Sequence, residues 1–275
     1  MVRVLVIGAH PDDCESAAGG SAALWRRRGD VVRFVSVTDG DAGHHAMSPQ
    51  ELGLRRREEA RQAAAVIGAE AAFLGLRDGH VTPDVANREL VVAEVRRFRP
   101  DLVLTHRPND YHPDHRYTST LVSDAAYLVT VPLFCPGVQH LDTNPVIAWV
   151  HDGFQKPRPF APDVAVDIDP VIDTKWAMLD RHESQFYEWL VANRFVPEAG
   201  EPPADPEGRR DWLRRWWGRS LEAPTASCRA RLCEAYGAEH AARVRFAEGF
   251  EICEFGRRPD RDDLARLFPI SSRPE

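Results

Sequence analysis

The sequence predicts an α/β fold with a mostly parallel twisted sheet and helices on both faces. Two observations carry this prediction. Short, nearly continuous apolar runs such as 2–7 and 101–106 have the length and character of strands that are buried on both faces. These runs alternate with longer segments of helical periodicity, and the loops between them are short. The alternation is typical of Rossmann-like sheets, and we expect residues 1–275 to form a single domain.

The first half of the chain shows the alternation most clearly. The strand predicted at 2–7 breaks into a loop at Gly8, and a segment of helical character follows at 16–28. A run at 31–37 is rich in β-branched and aromatic residues, which favours a second strand. The segment 49–68 is predicted as a helix because its alanines recur on one stripe.

The same rhythm continues towards the C-terminus. After a short strand at 71–76, a helix at 89–98 ends before Pro100, since the residue before a proline disfavours helical dihedral angles. The remaining predicted elements are a strand at 101–106, a helix at 116–129, strands at 146–150 and 164–168, a long helix at 172–191, and a helix followed by a strand within 226–255.

One segment, 197–225, departs from this rhythm and is predicted as an insertion or flap. Its first part is rich in proline, glycine and acidic residues, which is typical of an exposed loop. Its second part, 209–219, holds Trp212, Trp216 and Trp217 among arginines. At this spacing the rings share one helical face, which fits packing in a core or between subunits of a homo-oligomer. Aromatic faces also stack on sugars, so a sugar-binding role for these tryptophans is a second possibility.

Composition argues against several classes of protein. The 35 basic and 42 acidic residues give a formal net charge of −7, whereas general nucleic-acid binding requires a basic face. Mean hydropathy is −0.40, and no apolar run approaches the roughly 20 residues that span a bilayer, so we expect no membrane partner. The five cysteines show no paired spacing and no signal peptide is evident, which favours a cytoplasmic protein with reduced thiols.

Two short motifs rich in histidine and aspartate follow predicted strands. His10, Asp12 and Asp13 follow the first strand, and the run 112–115 (His-Pro-Asp-His) follows the strand at 101–106. Ligands of open α/β sheets bind in the crevice outside the carboxyl ends of the strands, so the two motifs can face each other there. Imidazole nitrogens and carboxylate oxygens suit a divalent transition metal, most often zinc.

The two motifs together offer six candidate groups, more than a catalytic zinc needs. Such a zinc takes three protein ligands and leaves a position for a water whose pKa falls to about 7. The other groups could serve as general base, general acid or orienting partners, which hydrolysis of an unreactive amide requires. Either motif alone also fits an ordinary turn, since Pro-Asp pairs are common turn formers. The presence of both after buried strands favours the metal site.

At these motifs the sequence resembles the LmbE-like (PIG-L) family of zinc-dependent N-deacetylases, which includes the deacetylases of mycothiol and bacillithiol biosynthesis. The resemblance covers nearly the whole chain apart from 197–225. Its specific parts are the run 8–15, followed by Gly19 and Gly20, and the run 108–115. Its weaker parts are Arg56 with Glu59, the runs 74–79 and 99–103, Lys175, and the runs 182–185 and 247–251.

The resemblance implies a role for the central residues of both motifs. His10, Asp13 and His115 match the zinc ligands of the family. Asp12 matches the general base that activates a water. His112 matches the imidazole that stabilises the charge of the tetrahedral intermediate or protonates the leaving amine.

Further positions match supporting residues. Asp114 is expected to orient an imidazole, that of His112. Arg56 and Asp78 match positions that contact substrate in the family. Arg57 is an equally close candidate for the first of these, because three consecutive arginines blur the register.

The sequence departs from the family pattern at one position. In mycothiol-type enzymes a tyrosine two residues before the second motif assists at the oxyanion, whereas Asp110 stands there in this chain. Tyr111 follows it, and we expect this ring to pack or to lie at the rim. His44 and His45 lie in a glycine-rich loop after a strand, where they either line the pocket or face solvent. His106 ends a predicted strand and is expected to be structural.

The sequence therefore predicts a hydrolase that removes the acetyl group from an N-acetylated sugar or glycoside of the N-acetylglucosamine type, with one Zn²⁺ per chain. The same ligands also hold Fe²⁺ or Co²⁺. Two alternatives remain: an amidase of a non-sugar N-acyl metabolite such as an antibiotic precursor, and a zinc- or sugar-binding module without catalysis. A dinucleotide-binding protein is disfavoured, because the loop after the first strand lacks the GxGxxG pattern.

Overall fold

A computed structural model, which describes residues 1–193 and 200–270, confirms the predicted α/β fold. The strands in these residues are β1 (Arg3–Gly8), β2 (Val31–Thr38), β3 (Glu70–Leu76), β4 (Leu102–Thr105), β5 (Val146–Val150), β6 (Val164–Asp167) and β7 (Ala247–Ile252). They form one sheet in the order β3-β2-β1-β4-β5-β7-β6. Neighbouring strands are parallel except at β7, which runs antiparallel to both β5 and β6.

Helices cover both faces of this sheet. Those in the described residues are α1 (Asp13–Arg27), α2 (Pro49–Ala65), α3 (Val85–Phe98), α4 (Pro113–Leu128), α5 (Ile172–Leu179), α6 (Leu190–Ala192), α7 (Pro206–Tyr236), α8 (Ala238–Arg243) and α9 (Arg261–Leu267). Alternate residues of β1 enter two different cores. Val4 and Val6 pack in a core with α1, α5 and α7, whereas Leu5 and Ile7 pack in a core with α3 and α4. This period of two is what a strand buried on both faces requires.

The long helix predicted at 172–191 is wrong, because the chain leaves the helix after α5. Residues 180–182 are not helical, and after Glu183 a π-helical segment, Ser184–Trp189, leads into α6. The side chain of Glu59 explains the new start: it accepts hydrogen bonds from the backbone N–H of Ser184 (3.1 Å) and from its hydroxyl (2.6 Å). The backbone N–H of Ser184 therefore binds α2 and not the preceding turn of its own segment.

The segment 197–225 belongs in large part to α7. Residues 197–199 lie outside the described residues, and from Pro206 onwards the chain is helical without a break as far as Tyr236. Trp212 is buried and joins the core shared with α1 and α5. The status of 197–225 as an insertion stays a prediction. Across residues 1–193 and 200–270, we find no helix with both the length and the apolarity to span a membrane.

Candidate active site and metal centre

Both predicted motifs lie where the strand order of the sheet reverses. β1 and β4 are neighbours, but α1 follows β1 onto one face and α4 follows β4 onto the other, which opens a crevice at their carboxyl ends. Both helices begin three residues earlier than predicted, at Asp13 and at Pro113. A proline at the first helical position has no N–H to leave unpaired, and the side chain of His112 caps α4. The motifs therefore sit in the first turns of two helices.

The three predicted metal ligands come together in this crevice. His10 Nδ1 lies 3.2 Å from His115 Nε2 and 3.4 Å from Asp13 Oδ2, and His115 Nε2 lies 3.5 Å from Asp13 Oδ1. Donor atoms that are about 2.0–2.1 Å from a tetrahedral zinc are about 3.3 Å from one another. Ring nitrogens of His112 and His106 also lie within 4.8 Å of two members of this set. The number, type and spacing of these donors fit a zinc ion.

The outer nitrogens of the two imidazoles face carboxylates. His115 Nδ1 lies 3.1 Å from Asp110, whereas His10 Nε2 lies 3.3 Å from Asp78 and 3.4 Å from Asp114. A carboxylate behind a metal-binding imidazole fixes its orientation and raises its basicity. Burial lowers the pKa of His10, but its contacts with carboxylates outweigh burial, so that this pKa stands well above its usual value.

Asp114 faces the imidazole of His10. The sequence suggested instead that it would orient the imidazole of His112. Its Oδ2 accepts the backbone N–H of Gly79 (2.6 Å) and its Oδ1 accepts that of Val81 (3.3 Å). These bonds to the loop after β3 fix the carboxylate on the side of His10. The side chain of His112 instead accepts the backbone N–H of Asp114 (3.2 Å).

Asp110 and His106 both belong to the site, although His106 was expected to be structural and Asp110 had no expected role in it. His106 Nε2 lies 3.3 Å from Asp13 Oδ2, accepts the backbone N–H of Ala9 (3.0 Å), and its ring stacks on that of His115 at 4.1 Å. A signal was present, since both residues lie between β4 and the second motif. The sequence offered no way to tell which imidazole each would meet.

Asp12 is held at the edge of the ligand cluster by Arg56. The guanidinium donates to Asp12 Oδ1 (2.9 Å) and to the carbonyl of Pro11 (2.7 Å). The backbone of Asp12 has φ 128°, a conformation that costs a non-glycine residue about 1–3 kcal/mol and clusters at functional sites. Burial raises the pKa of Asp12 to about 6, although the charge of Arg56 opposes this. Arg57 pairs with Asp39 instead, at 2.6 and 2.7 Å.

His112 presents one defined nitrogen to the crevice. Because its Nδ1 accepts the N–H of Asp114, the proton of the neutral ring lies on Nε2. Burial, reinforced by the charges of His10 and His115, lowers the pKa of His112 and favours this neutral ring. The ring meets that of His10 edge-on, with centroids 4.6 Å apart.

A cavity of about 630 Å³ opens beside the ligand cluster. Its walls include seven of the predicted site residues, namely His10, Asp12, Asp13, Arg56, Asp78, His112 and His115. They also include four aromatic rings, those of Tyr111, Phe186, Trp189 and Trp217. The sequence singled out Tyr111 and Trp217, whereas the other two follow the break in the predicted long helix. We call this space the substrate cavity.

Other residues considered in the sequence take structural or peripheral positions. Tyr111 is exposed, and its ring stands edge-on to two of the imidazoles at the rim. His44 binds Glu188 (2.8 Å) and stacks on His45, and neither histidine borders the substrate cavity. Cys14 is buried, and its thiol contacts the backbone carbonyls of Val6 and Val35.

The chain is similar to several known proteins. Residues 5–126 match the PIG-L family, described as GlcNAc-PI de-N-acetylase. A diacetylchitobiose deacetylase of Thermococcus kodakarensis is 32% identical, covering 68% of this chain and 71% of the relative. A 4-oxalmesaconate hydratase of Pseudomonas putida is 28% identical, covering 71% of this chain and 79% of the relative.

The fold comparison points the same way. The solved structure of the N,N′-diacetylchitobiose deacetylase of Pyrococcus horikoshii with its inhibitor MPG superposes with a TM-score of 0.70 and 25% identity. The match covers 92% of this chain and 84% of that one. The relatives confirm that the chain is an enzyme and support N-deacetylation.

Proposed function

Because the chain belongs to the PIG-L family, we propose that it removes the acetyl group from an N-acetylated sugar or glycoside of the N-acetylglucosamine type. The products are acetate and a free amine. One observation carries the proposal: a three-donor metal site, a partly buried carboxylate and a neutral imidazole meet at the wall of one cavity of about 630 Å³. Amide hydrolysis needs these groups together.

The proposed cofactor is one Zn²⁺ held by His10, Asp13 and His115. When bound, it supplies Lewis-acid chemistry, which polarises a carbonyl and lowers the pKa of a water. Fe²⁺ or Co²⁺ would accept the same donors. The carboxylates of Asp110 and Asp114, behind the two imidazoles, keep the rings in place for the metal.

Asp12 acts as the general base in this mechanism. It takes a proton from the attacking water as the water oxygen bonds to the acetyl carbon. It then returns that proton to the nitrogen as the C–N bond breaks, so that the amine leaves neutral and acetic acid is formed, which releases its own proton to solvent to become acetate. Arg56 holds the carboxylate of Asp12 in position through the 2.9 Å hydrogen bond.

His112 stabilises the charge that develops during the attack. Its Nε2–H donates a hydrogen bond to the carbonyl oxygen as that oxygen becomes negative. Because Nδ1 is held by the N-terminus of α4, the ring does not need to reorient for this step. Asp114 contributes indirectly, by positioning His10.

We propose that Asp78 and Arg56 contact the sugar. Burial raises the pKa of Asp78, but the hydrogen bond with His10 outweighs this and lowers it to about 2, so the carboxylate is ionised and accepts hydroxyl hydrogens. Both side chains line the substrate cavity, and the ring of Trp189 borders the same space, where it can pack on the apolar face of a sugar.

Substitution of Asp12 tests the proposal. Asp12→Asn should lower kcat for release of acetate from N-acetylglucosamine by about 10²–10⁴-fold while stoichiometric zinc is retained. Asp124→Asn, an exposed carboxylate on α4, serves as the control and should keep full activity. Full activity of Asp12→Asn would overturn the base assignment, and full zinc occupancy in His115→Ala would overturn the ligand set.

A hydratase is the second candidate, because one of the two relatives above is named 4-oxalmesaconate hydratase. Addition of water to a double bond would use the same metal site and base. Acetate release from a panel of N-acetyl sugars and non-sugar acyl amines, run beside hydration of 4-oxalmesaconate, separates these activities. Hydration without any amide cleavage would replace the deacetylase proposal.

We propose that residues 1–275 form one domain in which 197–225 is an insertion. The five cysteines are free thiols, which supports a cytoplasmic enzyme. Its partners are small N-acetylated molecules, with no nucleic acid and with homo-oligomers possible. Size-exclusion chromatography with light scattering measures the oligomeric state directly.

A further inference from the structure

A second cavity, of about 330 Å³, adjoins the predicted metal site. It shares Asp13, Ser16, Tyr111, His115 and Trp217 with the substrate cavity. Two of these residues are predicted metal ligands, so both cavities open onto the place where the scissile carbonyl lies in the proposed reaction. A substrate whose carbonyl sits there can extend into both spaces.

The two cavities have different walls. Asp12, Arg56 and His112 border the substrate cavity, and none of them is among the described residues that border the second one. Much of the wall of the second cavity is apolar: Ala17, Val150, Phe154, Leu221, Pro224 and Ala247. The side chains that handle protons therefore lie on one side of the metal site, and an apolar space lies on the other.

Charged groups in the second cavity are already paired. Lys175 Nζ donates to Glu248 (2.6 Å), and Asp152 accepts two hydrogen bonds from Arg107 (2.9 and 3.0 Å). Burial also lowers the pKa of His151 to about 4, so its ring is neutral at pH 7. An occupant of this space therefore meets paired ions and apolar walls, which favours an uncharged, apolar group.

The chemistry of the proposed hydrolysis assigns the two ends of the amide. The departing nitrogen must lie within reach of Asp12, which returns its proton, so the amine part lies in the substrate cavity. The acyl group, on the other side of the carbonyl carbon, then points into the second cavity. We infer that the second cavity holds the acyl chain, and that the preferred substrate carries an unbranched acyl group longer than acetyl; this inference rests on the amide hydrolysis proposed above for the same site.

The size of the second cavity supports a longer chain. A methyl or methylene group is close in size to a water molecule, which occupies about 30 Å³ in the liquid. The methyl of an acetyl group would leave most of the 330 Å³ unfilled, whereas the five carbons beyond the carbonyl of a hexanoyl group need about 150 Å³. Each methylene that leaves water for an apolar wall is worth up to about fourfold in binding.

Hydrolysis of a chain-length series tests the inference. Glucosamine carrying N-acetyl, N-butanoyl or N-hexanoyl groups is given to the purified zinc enzyme, and kcat/KM should rise along the series by at least tenfold. The slow Asp12→Asn variant gives a second readout without chemistry, since its dissociation constant for the N-hexanoyl amide, measured by calorimetry, should be at least tenfold below that for the N-acetyl amide.

A bulky substitution at the wall locates the chain. Ser220 is an exposed residue of α7 that borders the second cavity. Ser220→Trp should reduce the hexanoyl-to-acetyl ratio of kcat/KM at least tenfold. Ser227→Trp, at an exposed site on the same helix that does not border the cavity, is the matched control and should leave the ratio unchanged.

The outcomes separate the two proposals. Cleavage of the N-acetyl amide with loss of activity towards longer chains would overturn the inference and leave the deacetylase proposal standing. A hexanoyl preference that Ser220→Trp does not reduce would place the chain elsewhere and also overturn it. Failure to cleave any amide of the series would overturn the proposed function together with the inference.

Discussion

Replacement of Asp114 by asparagine should weaken zinc binding rather than act on the chemical step. In the structure this carboxylate lies 3.4 Å from His10 Nε2 and is fully buried. An amide of the same shape removes the negative charge behind the imidazole. Both oxygens of Asp114 accept backbone N–H groups, those of Gly79 and Val81. In the asparagine variant the NH₂ group replaces one of these oxygens, so that two hydrogen-bond donors face each other.

The expected loss follows from the position of Asp114 behind a predicted ligand. Removal of such a partner typically lowers metal affinity about 10–100-fold, which corresponds to about 1.4–2.7 kcal/mol. The mismatched N–H contact at Val81 should cost the metal-free protein a further 1–3 kcal/mol or so in unfolding free energy. Zinc affinity is measured by competition with a chromophoric chelator, and stability by urea denaturation of the metal-free form.

The matched control is Asp124→Asn, on the same helix. Asp124 is partly exposed and pairs with Arg88 at 2.7 Å, so its loss should change stability by less than about 1 kcal/mol and leave zinc affinity unchanged. The sequence suggested that Asp114 orients His112. If that were its role, Asp114→Asn would lower kcat and keep the wild-type affinity for zinc, and this result would refute the assignment to His10.

Three further predictions concern the metal, the buried Lys175 and the half-buried His151. Dialysis against a chelator should abolish amide hydrolysis, and one equivalent of Zn²⁺ per chain should restore it, as measured by acetate release. Lys175→Met leaves the buried carboxylate of Glu248 unpaired and should destabilise the protein by about 3–5 kcal/mol in urea, with partial recovery when Glu248→Gln is added. The folded-state pKa of His151, about 4, lies below its ordinary value of 6.5, so its contribution to stability is complete above pH 6.5 and is lost as the pH falls to 4. The wild type should therefore lose up to about 3 kcal/mol more over this range than His151→Phe in pH-dependent denaturation.

The sequence predicted the sheet and the location of the site because both depend on local patterns. Apolar runs that are buried on both faces indicate parallel strands, and the residues that follow β1 and β4 necessarily lie at the same end of the sheet. The two motifs could therefore be expected to face each other, and the resemblance to the family then selected His10, Asp13 and His115 as the ligands. The break at 180–182 in the helix predicted at 172–191 could not be predicted, because it depends on Glu59, a residue of α2 that is distant in the sequence.

It was easier to predict which residues belong to the site than to predict which of them contact one another. Asp114 was assigned to His112 because the two are close in sequence, but its oxygens are held by the loop after β3. That loop also carries Asp78, which meets the same imidazole of His10. Contacts of this kind depend on how loops from different strands meet, and a single sequence carries no signal for that geometry.

The position at which α4 begins determines which ring nitrogen of His112 carries the proton, and this can be tested. The first N–H groups of a helix have no partner within the helix, and here that of Asp114 is accepted by His112 Nδ1 at 3.2 Å. The neutral ring must then carry its proton on Nε2, where it can donate to a developing oxyanion. Nitrogen NMR of the ring in the zinc-free protein at pH 8 should show a protonated Nε2 and an unprotonated Nδ1, with His112→Ala to assign the signal. A ring protonated on Nδ1 would contradict the donor role, because the nitrogen facing the crevice would then be an acceptor and would repel the oxygen that it is meant to stabilise.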